Sequence, residues 1–267
     1  MRLLALDLDG TLLDPNGVVT PRSVEALRAA RAAGVTVVIA SGRPPFLAAD
    51  IVAALPDVVS HGVMANGSIV CTLPDATPLR TVQYPIELAV GAVRLLRRLD
   101  PGYAFALATA TGFASEAGFS ERMRSTAEIP VSEDALEVAI DATEARRLMV
   151  WNRTIGTHEL LDHLPTLLGE ELCVGHLGAD AAEILPRGVD KASGLRWLCE
   201  HLDVDCADVV AIGDEYNDHD MLRWAGHGVA MGNADPVTQA VADSVTLTNA
   251  EDGVAVAVER LLRERFG

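Results

Sequence analysis

Residues 3–11 read LLALDLDGT, an apolar run that ends in two aspartates two positions apart and then Gly10-Thr11. A short strand over Leu3–Leu8 with so little polar alternation suits the interior of a sheet. On an ideal strand the spacing would point Asp7 and Asp9 to the same side. Working outward, Thr20-Pro21 forms an N-cap and first-turn pair, Gly34 supplies a stop, and Val24, Leu27 and Ala30 share one face between them. Val35–Ala40 (VTVVIA) is a second strand, bounded by Gly34 and Ser41-Gly42. Residues 3–40 therefore read as a βαβ unit of a buried parallel sheet.

A helix is expected after Pro44-Pro45, and a strand over Val58–Val63. The C-terminal part repeats the pattern. Helices are expected over Lys191–Leu202, Asn217–Ala225, Pro236–Ala242 and Glu251–Arg265, with strands over Asp208–Ile212, Gly228–Met231 and Ser244–Leu247. This alternation predicts a doubly wound, mainly parallel, Rossmann-like α/β core. The middle differs. Weaker strand signals at Tyr103–Leu107, Arg147–Trp151 and Leu172–His176 lie among helical stretches at Ile86–Leu99 and Thr157–Leu168. Residues 82–188 are expected to be an inserted α+β cap, and residues 1–81 with 189–267 the core.

The 267 residues carry 38 acidic and 21 basic side chains, a formal charge of −17. Such a surface repels a phosphate backbone and argues against nucleic-acid partners. A small anion is still admissible, because screening beyond about 8 Å lets a local cationic site survive. The cysteines at 71, 173, 199 and 206 have no CxxC spacing, so reduced thiols and a cytoplasmic location are expected. No apolar run approaches the roughly 18 residues of a membrane span, and Asp7 breaks the N-terminal run too soon for a signal peptide. With no aromatic stripe to cover, a monomer or weak homodimer is expected.

Ligands of open α/β sheets bind beyond the carboxyl ends of the strands. Four polar segments should converge there: Asp7-Leu8-Asp9-Gly10-Thr11, Ser41-Gly42-Arg43, Lys191, and Gly213-Asp214-Glu215-Tyr216-Asn217-Asp218. Asp7, Asp9, Asp214 and Asp218 could share a small site only around a cation. Hard carboxylate oxygens point to Mg²⁺. Lys191, Ser41 and backbone N–H groups would hold phosphate oxygens, giving a phosphoryl-transfer centre with a carboxylate nucleophile. Lys191 is the single lysine among 21 basic residues. A chain that uses arginine everywhere else has kept a compact point charge at this position.

These four segments, in this order, resemble the motifs of the haloacid dehalogenase superfamily, and within it the Cof-type phosphatases with a large type IIB α/β cap. DxDGT is Asp7–Thr11, [ST]GR is Ser41–Arg43, the helix-initial lysine is Lys191, and GDxxND is Gly213–Asp218. Asn66-Gly67 and Gly232-Asn233-Ala234 match two weaker signatures. The resemblance implies that Asp7 attacks phosphorus and that Asp9 protonates the leaving oxygen and then activates water. It implies Mg²⁺ held by Asp7, the Asp9 carbonyl and Asp214, with Asp218 close by. It also implies phosphoryl contacts from Ser41 and Lys191, with Gly10, Gly42, Arg43 and Asn217 completing the substrate-binding set. The expected substrate is a small phosphorylated metabolite, a sugar phosphate or phosphorylated cofactor. A phosphomutase and a receiver-like phospho-binding module are the alternatives.

Other features read as structural. Asp14 belongs to a turn, and the three tryptophans to packing. His158 and His163, five apart, do not share a helix face as zinc ligands would. Many relatives place Gly after the motif lysine, where this chain has Ala192. Glu183, His176 and Arg187 are the candidate cap residues facing the substrate.

Overall fold

The computed structural model describes residues 1–82, 84–108, 113–119, 128–131, 147–176 and 181–266. The chain divides into two compact units, Met1–Thr81 with Asp190–Gly267, and Val82–Val189.

The first unit holds strands β1 (Leu3–Leu6), β2 (Thr36–Ala40), β3 (His61–Met64), β4 (Ile69–Thr72) and β5 (Pro78–Thr81). In the sequence-numbered series across the whole chain, β12 (Val209–Gly213), β13 (His227–Ala230) and β14 (Ser244–Val245) complete its sheet, in the order β14-β13-β12-β1-β2-β3-β4-β5. All neighbours from β14 to β3 are parallel, so their carboxyl ends share one edge. Leu6 lies level with Ile212 on one side and Ile39 on the other.

The unbroken apolar run of β1 has a direct cause. Leu4 and Leu6 pack with Leu27 and Ala30 of helix α1 (Pro21–Ala32) and with Val254 and Val258 of the last helix, α8 (Gly253–Phe266). Leu3 and Ala5 face the other way, toward Leu195 and Leu198 of α5 (Lys191–His201) and Met221 and Leu222 of α6 (His219–Trp224). Both faces of the strand are covered, as parallel sheets require. Two shorter helices, α2 (Pro45–Ala53) and α7 (Pro236–Val241), complete the unit.

Two expectations need correction here. The first strand stops at Leu6, not Leu8, so Asp7 and Asp9 do not share a strand face. Asp7 N still donates to Ile212 O, at 3.0 Å. Gly10 then takes the left-handed region at φ 79°, and Leu12 N and Leu13 N bond back to the Asp7 and Leu8 carbonyls. In the second case, the expected helix over 217–225 begins as a tight turn, Tyr216–Asp218, before α6. Strands β4 and β5, which extend the sheet antiparallel beyond β3, had no counterpart in the sequence reading.

The second unit is a sheet of β6 (Tyr103–Ala108), β7 (Phe113–Glu116), β8 (Glu128–Val131), β9 (Arg147–Asn152), β10 (Leu172–His176) and β11 (Ala182–Pro186), ordered β10-β11-β9-β6-β7-β8. Leu148, Val150, Ala182 and Ile184 pack with α3 (Ile86–Leu99) and α4 (Thr157–Leu168). Arg147 and Glu183, out of phase with them, fall on the opposite face and form a buried ion pair at 2.9 Å. Among the described residues, no helix is long and apolar enough to cross a membrane.

Candidate active site

Asp7 extends from the end of β1, and Asp214 from the end of the neighbouring β12. Asp218 reaches the same point from the turn that follows. Gly213 makes room for it, since a Cβ there would lie 2.5 Å from the Asp218 carboxyl carbon. Carboxylate oxygens of Asp7, Asp214 and Asp218 lie within 4.8 Å of one another, and all three residues are buried.

Lys191 enters at the first turn of α5. Asp190 caps that helix, accepting from Ser193 N at 2.6 Å, while the Ser193 hydroxyl accepts from Asp190 N at 3.0 Å. The reciprocal cap fixes the helix start and with it the root of the lysine. The lysine side chain is 1% exposed, and its ammonium donates to Asp7 Oδ1 and Asp218 Oδ1, each at 2.7 Å. Asp218 Oδ2 accepts from the backbone N–H groups of Asp214 and Glu215, at 2.9 and 3.1 Å. Both Asp218 oxygens are therefore committed within the protein.

Asp214 is oriented differently. Its Oδ1 accepts from the Thr11 hydroxyl at 2.7 Å, and Asn233 Nδ2 approaches its Oδ2 at 3.4 Å. Asn233 Nδ2 also donates to the Gly10 carbonyl at 2.9 Å, and its Oδ1 accepts from Asn249 N at 2.9 Å. The Asn249 N–H thus selects which end of the Asn233 amide faces Gly10 and Asp214. A Cβ on Gly10 would stand 2.1 Å from Asp214 Oδ2, so the turn needs glycine for space as well as for its φ.

The electrostatics follow from burial. Burial raises the Asp7 carboxyl to about 8, with Lys191 pulling it down and Asp218 and Asp214 pushing it up. Burial also raises Asp214, to about 7, against the Thr11 hydrogen bond. Burial alone would lower the Lys191 ammonium, but Asp218 and Asp7 hold it above its ordinary value. One ammonium does not balance three clustered carboxylates. Hard oxygen donors that resist ionisation side by side are a donor set suited to a divalent cation such as Mg²⁺.

The Asp9 side chain is 57% exposed and is not among the clustered carboxylates. It is held by Arg43, whose Nε donates to Asp9 Oδ2 at 2.7 Å. Ser41 is buried at the end of β2, and its Oγ accepts from Arg43 N at 3.1 Å. Gly42 sits against Asn66, whose Oδ1 accepts from Asn217 Nδ2 at 3.1 Å. Asp14 accepts from the backbone of Asn16 and Val18 in a turn. In the second unit, Arg187 is exposed and bonded to the Glu170 carbonyl, and the His176 side chain lies outside the described residues. Thr11 and Asn249 carried no role in the sequence reading. A hydroxyl inside a motif and an asparagine far away in sequence give no local signal of a shared carboxylate network.

Comparisons with known proteins bear on the family and the fold. A family profile described as haloacid dehalogenase-like hydrolase matches residues 4–258. The chain is 32% identical to a pyridoxal phosphate phosphatase of Escherichia coli, over 95% of this chain and 96% of that protein. A solved phosphatase of the haloalkanoate superfamily from Bacteroides thetaiotaomicron superposes with a TM-score of 0.85 at 27% identity, covering 97% of this chain and 94% of the other. A subclass IIB sugar phosphatase superposes at 0.83 over 98% and 99% of the two chains; at 23% identity it bears on the fold alone.

Proposed function

Because the chain belongs to the haloacid dehalogenase-like hydrolases, we propose that it is a Mg²⁺-dependent phosphatase of a small phosphorylated metabolite, acting through an aspartyl phosphate. The observation that carries this reading is the buried contact of Asp7 with the chain's single lysine, beside Asp214 and Asp218. Asp7 and Asp214, with the Asp9 carbonyl, would hold the cation. Bound there, Mg²⁺ supplies charge stabilisation to the phosphoryl oxygens.

The protein's own groups divide the remaining work. Asp7 Oδ1 is tied to Lys191, and the carboxylate attacks phosphorus as the P–O bond to the leaving group breaks. Asp9 passes a proton to the departing oxygen. It then takes a proton from the water that attacks the acyl phosphate, releasing phosphate and restoring Asp7. Lys191 offers its point charge to the transferring group. Asp218 holds that ammonium and fixes the Asp214 backbone. Ser41, Gly42 and Asn217 line the approach as phosphate-binding candidates. The inserted unit would discriminate among substrates.

The test is phosphate release from an aryl phosphate and a panel of phosphorylated metabolites, in Mg²⁺, in chelator, and with Asp7→Asn. Release that requires Mg²⁺ and is lost in Asp7→Asn is the expected result. Release that survives Asp7→Asn would remove Asp7 as nucleophile. Release unaffected by chelator would remove the metal.

A further inference from the structure

The [ST]GR resemblance assigns Arg43 to the substrate, but its guanidinium is engaged elsewhere. Nε and Nη2 donate to the two carboxylate oxygens of Asp9, at 2.7 and 2.5 Å, and Nη1 donates to the Leu47 carbonyl at 3.2 Å. Its backbone is pinned as well. Arg43 N donates to Ser41 Oγ at 3.1 Å, and Arg43 O accepts from Ala65 N at 2.9 Å. The fork is therefore rooted at the end of β2 and aimed at the turn after β1, within one compact unit.

We propose that Arg43 is a positioning residue for Asp9, acting on the reaction through that carboxylate rather than through the phosphoryl group. Resting on the phosphatase reading above, it assigns a task to a residue that the resemblance had placed in the substrate-binding set. Asp9 stands on an irregular turn with its side chain 57% exposed, and the guanidinium of Arg43 grips both of its oxygens. A group that must deliver a proton to one oxygen and later collect one from another works only if its oxygens are held in place. The planar guanidinium meets both oxygens at once and fixes the plane of the carboxylate, while each oxygen keeps a second lone pair on which the transferred proton is carried. A lysine would offer a single point contact. Turning Arg43 to a phosphate would break two charge-assisted hydrogen bonds and release the acid–base group when it is needed.

The experiment measures kcat, KM and the inhibition constant of inorganic phosphate, with p-nitrophenyl phosphate as substrate. The proteins are the unsubstituted chain, Arg43→Ala, Arg43→Lys, Asp9→Asn and the Arg43→Ala/Asp9→Asn double variant. Arg43→Ala is expected to lower kcat about a hundredfold, the scale of a misplaced catalytic group. The phosphate inhibition constant should stay within about twofold, because the lost interaction is not with phosphate. Arg43→Lys should recover little of the rate. The double variant should be no slower than Asp9→Asn alone, since residues acting as a unit do not add. A phosphate inhibition constant raised about tenfold with kcat retained would place Arg43 on the phosphoryl group and overturn the inference. Multiplicative losses in the double variant would overturn it too. In both cases the phosphatase reading stands. Absence of phosphate release by the unsubstituted chain from p-nitrophenyl phosphate and from every compound of the metabolite panel would overturn both. If thermal melting shows Arg43→Ala unfolded, Arg43→Lys decides, because it keeps the charge and the aliphatic stem and loses only the fork.

Discussion

Lys191 shows how much one side chain can determine. It is buried and bonded to two carboxylates at 2.7 Å. Lys191→Met would leave Asp7 and Asp218 buried without their shared ammonium, and breaking a buried pair in this way costs about 3–5 kcal/mol. Urea unfolding of the metal-free protein measures that loss. A cost below about 1 kcal/mol, the value of a surface pair, would mean the ammonium is dispensable to the fold. Lys191→Arg keeps the charge, but its wide fork does not match two single oxygens reached from a compact head. Phosphate release should fall at least about a hundredfold, the scale of losing one oriented electrostatic donor. Gly10→Ala is a sharper case. The new methyl would lie 2.1 Å from Asp214 Oδ2 at a φ of 79°, so either the turn or Asp214 must move. Activity should be lost even if the protein stays folded, which circular dichroism alongside the assay separates. The lysine was legible in the sequence because it is unique in composition. The pairing of Asp9 with Arg43 was not, because nothing in two separate motifs reveals which way their side chains turn.

At the scale of elements, legibility followed burial. The strands flanking β1 were readable because both faces are covered, which forces β-branched runs such as Val37-Val38-Ile39. β4 and β5 are four residues each and too short to show a period. A local signal ahead of β4 is Asn66-Gly67, both at positive φ, a turn dipeptide that entered the sequence analysis only as a family signature. In the second unit, the expected strands Tyr103–Leu107, Arg147–Trp151 and Leu172–His176 match β6, β9 and β10 within a residue, while β7, β8 and β11 have no counterpart in the expected strands. α5 links element to site most directly. Its N-cap Asp190 stands one residue before Lys191, so Asp190→Ala should do two things. Loss of the cap should cost about 1 kcal/mol. The freed first turn should also lower kcat, because the lysine root is no longer fixed. Thermal melting and steady-state kinetics on the same preparation test the coupling. A melting shift with kcat unchanged would show that Lys191 is placed by its carboxylate partners alone.

For the molecule as a whole, the buried cluster couples stability to protons and, on the proposed reading, to Mg²⁺. Asp7 and Asp214 are raised to about 8 and about 7 from an unfolded value of 3.8. Across that window the folded metal-free protein holds protons that the unfolded chain has released. Stability contributed by these two groups is therefore present at low pH and declines as pH rises from about 4 to about 8. On the proposed reading Mg²⁺ would need both carboxylates ionised, so its binding would expel those protons and its affinity should climb over the same range. A ligand that binds only the folded state adds about 2.7 kcal/mol at a hundred times its dissociation constant. The melting temperature in chelator should then fall between about pH 5 and pH 8, while the gain on adding Mg²⁺ grows. Asp214→Asn separates this cluster from the other acids of a chain of charge −17. It removes one of the two raised carboxyls, so the decline in chelator should flatten and the Mg²⁺ gain should shrink. If Asp214→Asn melts with the same slope and the same gain as the unsubstituted protein, the proton linkage lies elsewhere and Asp214 does not hold the cation.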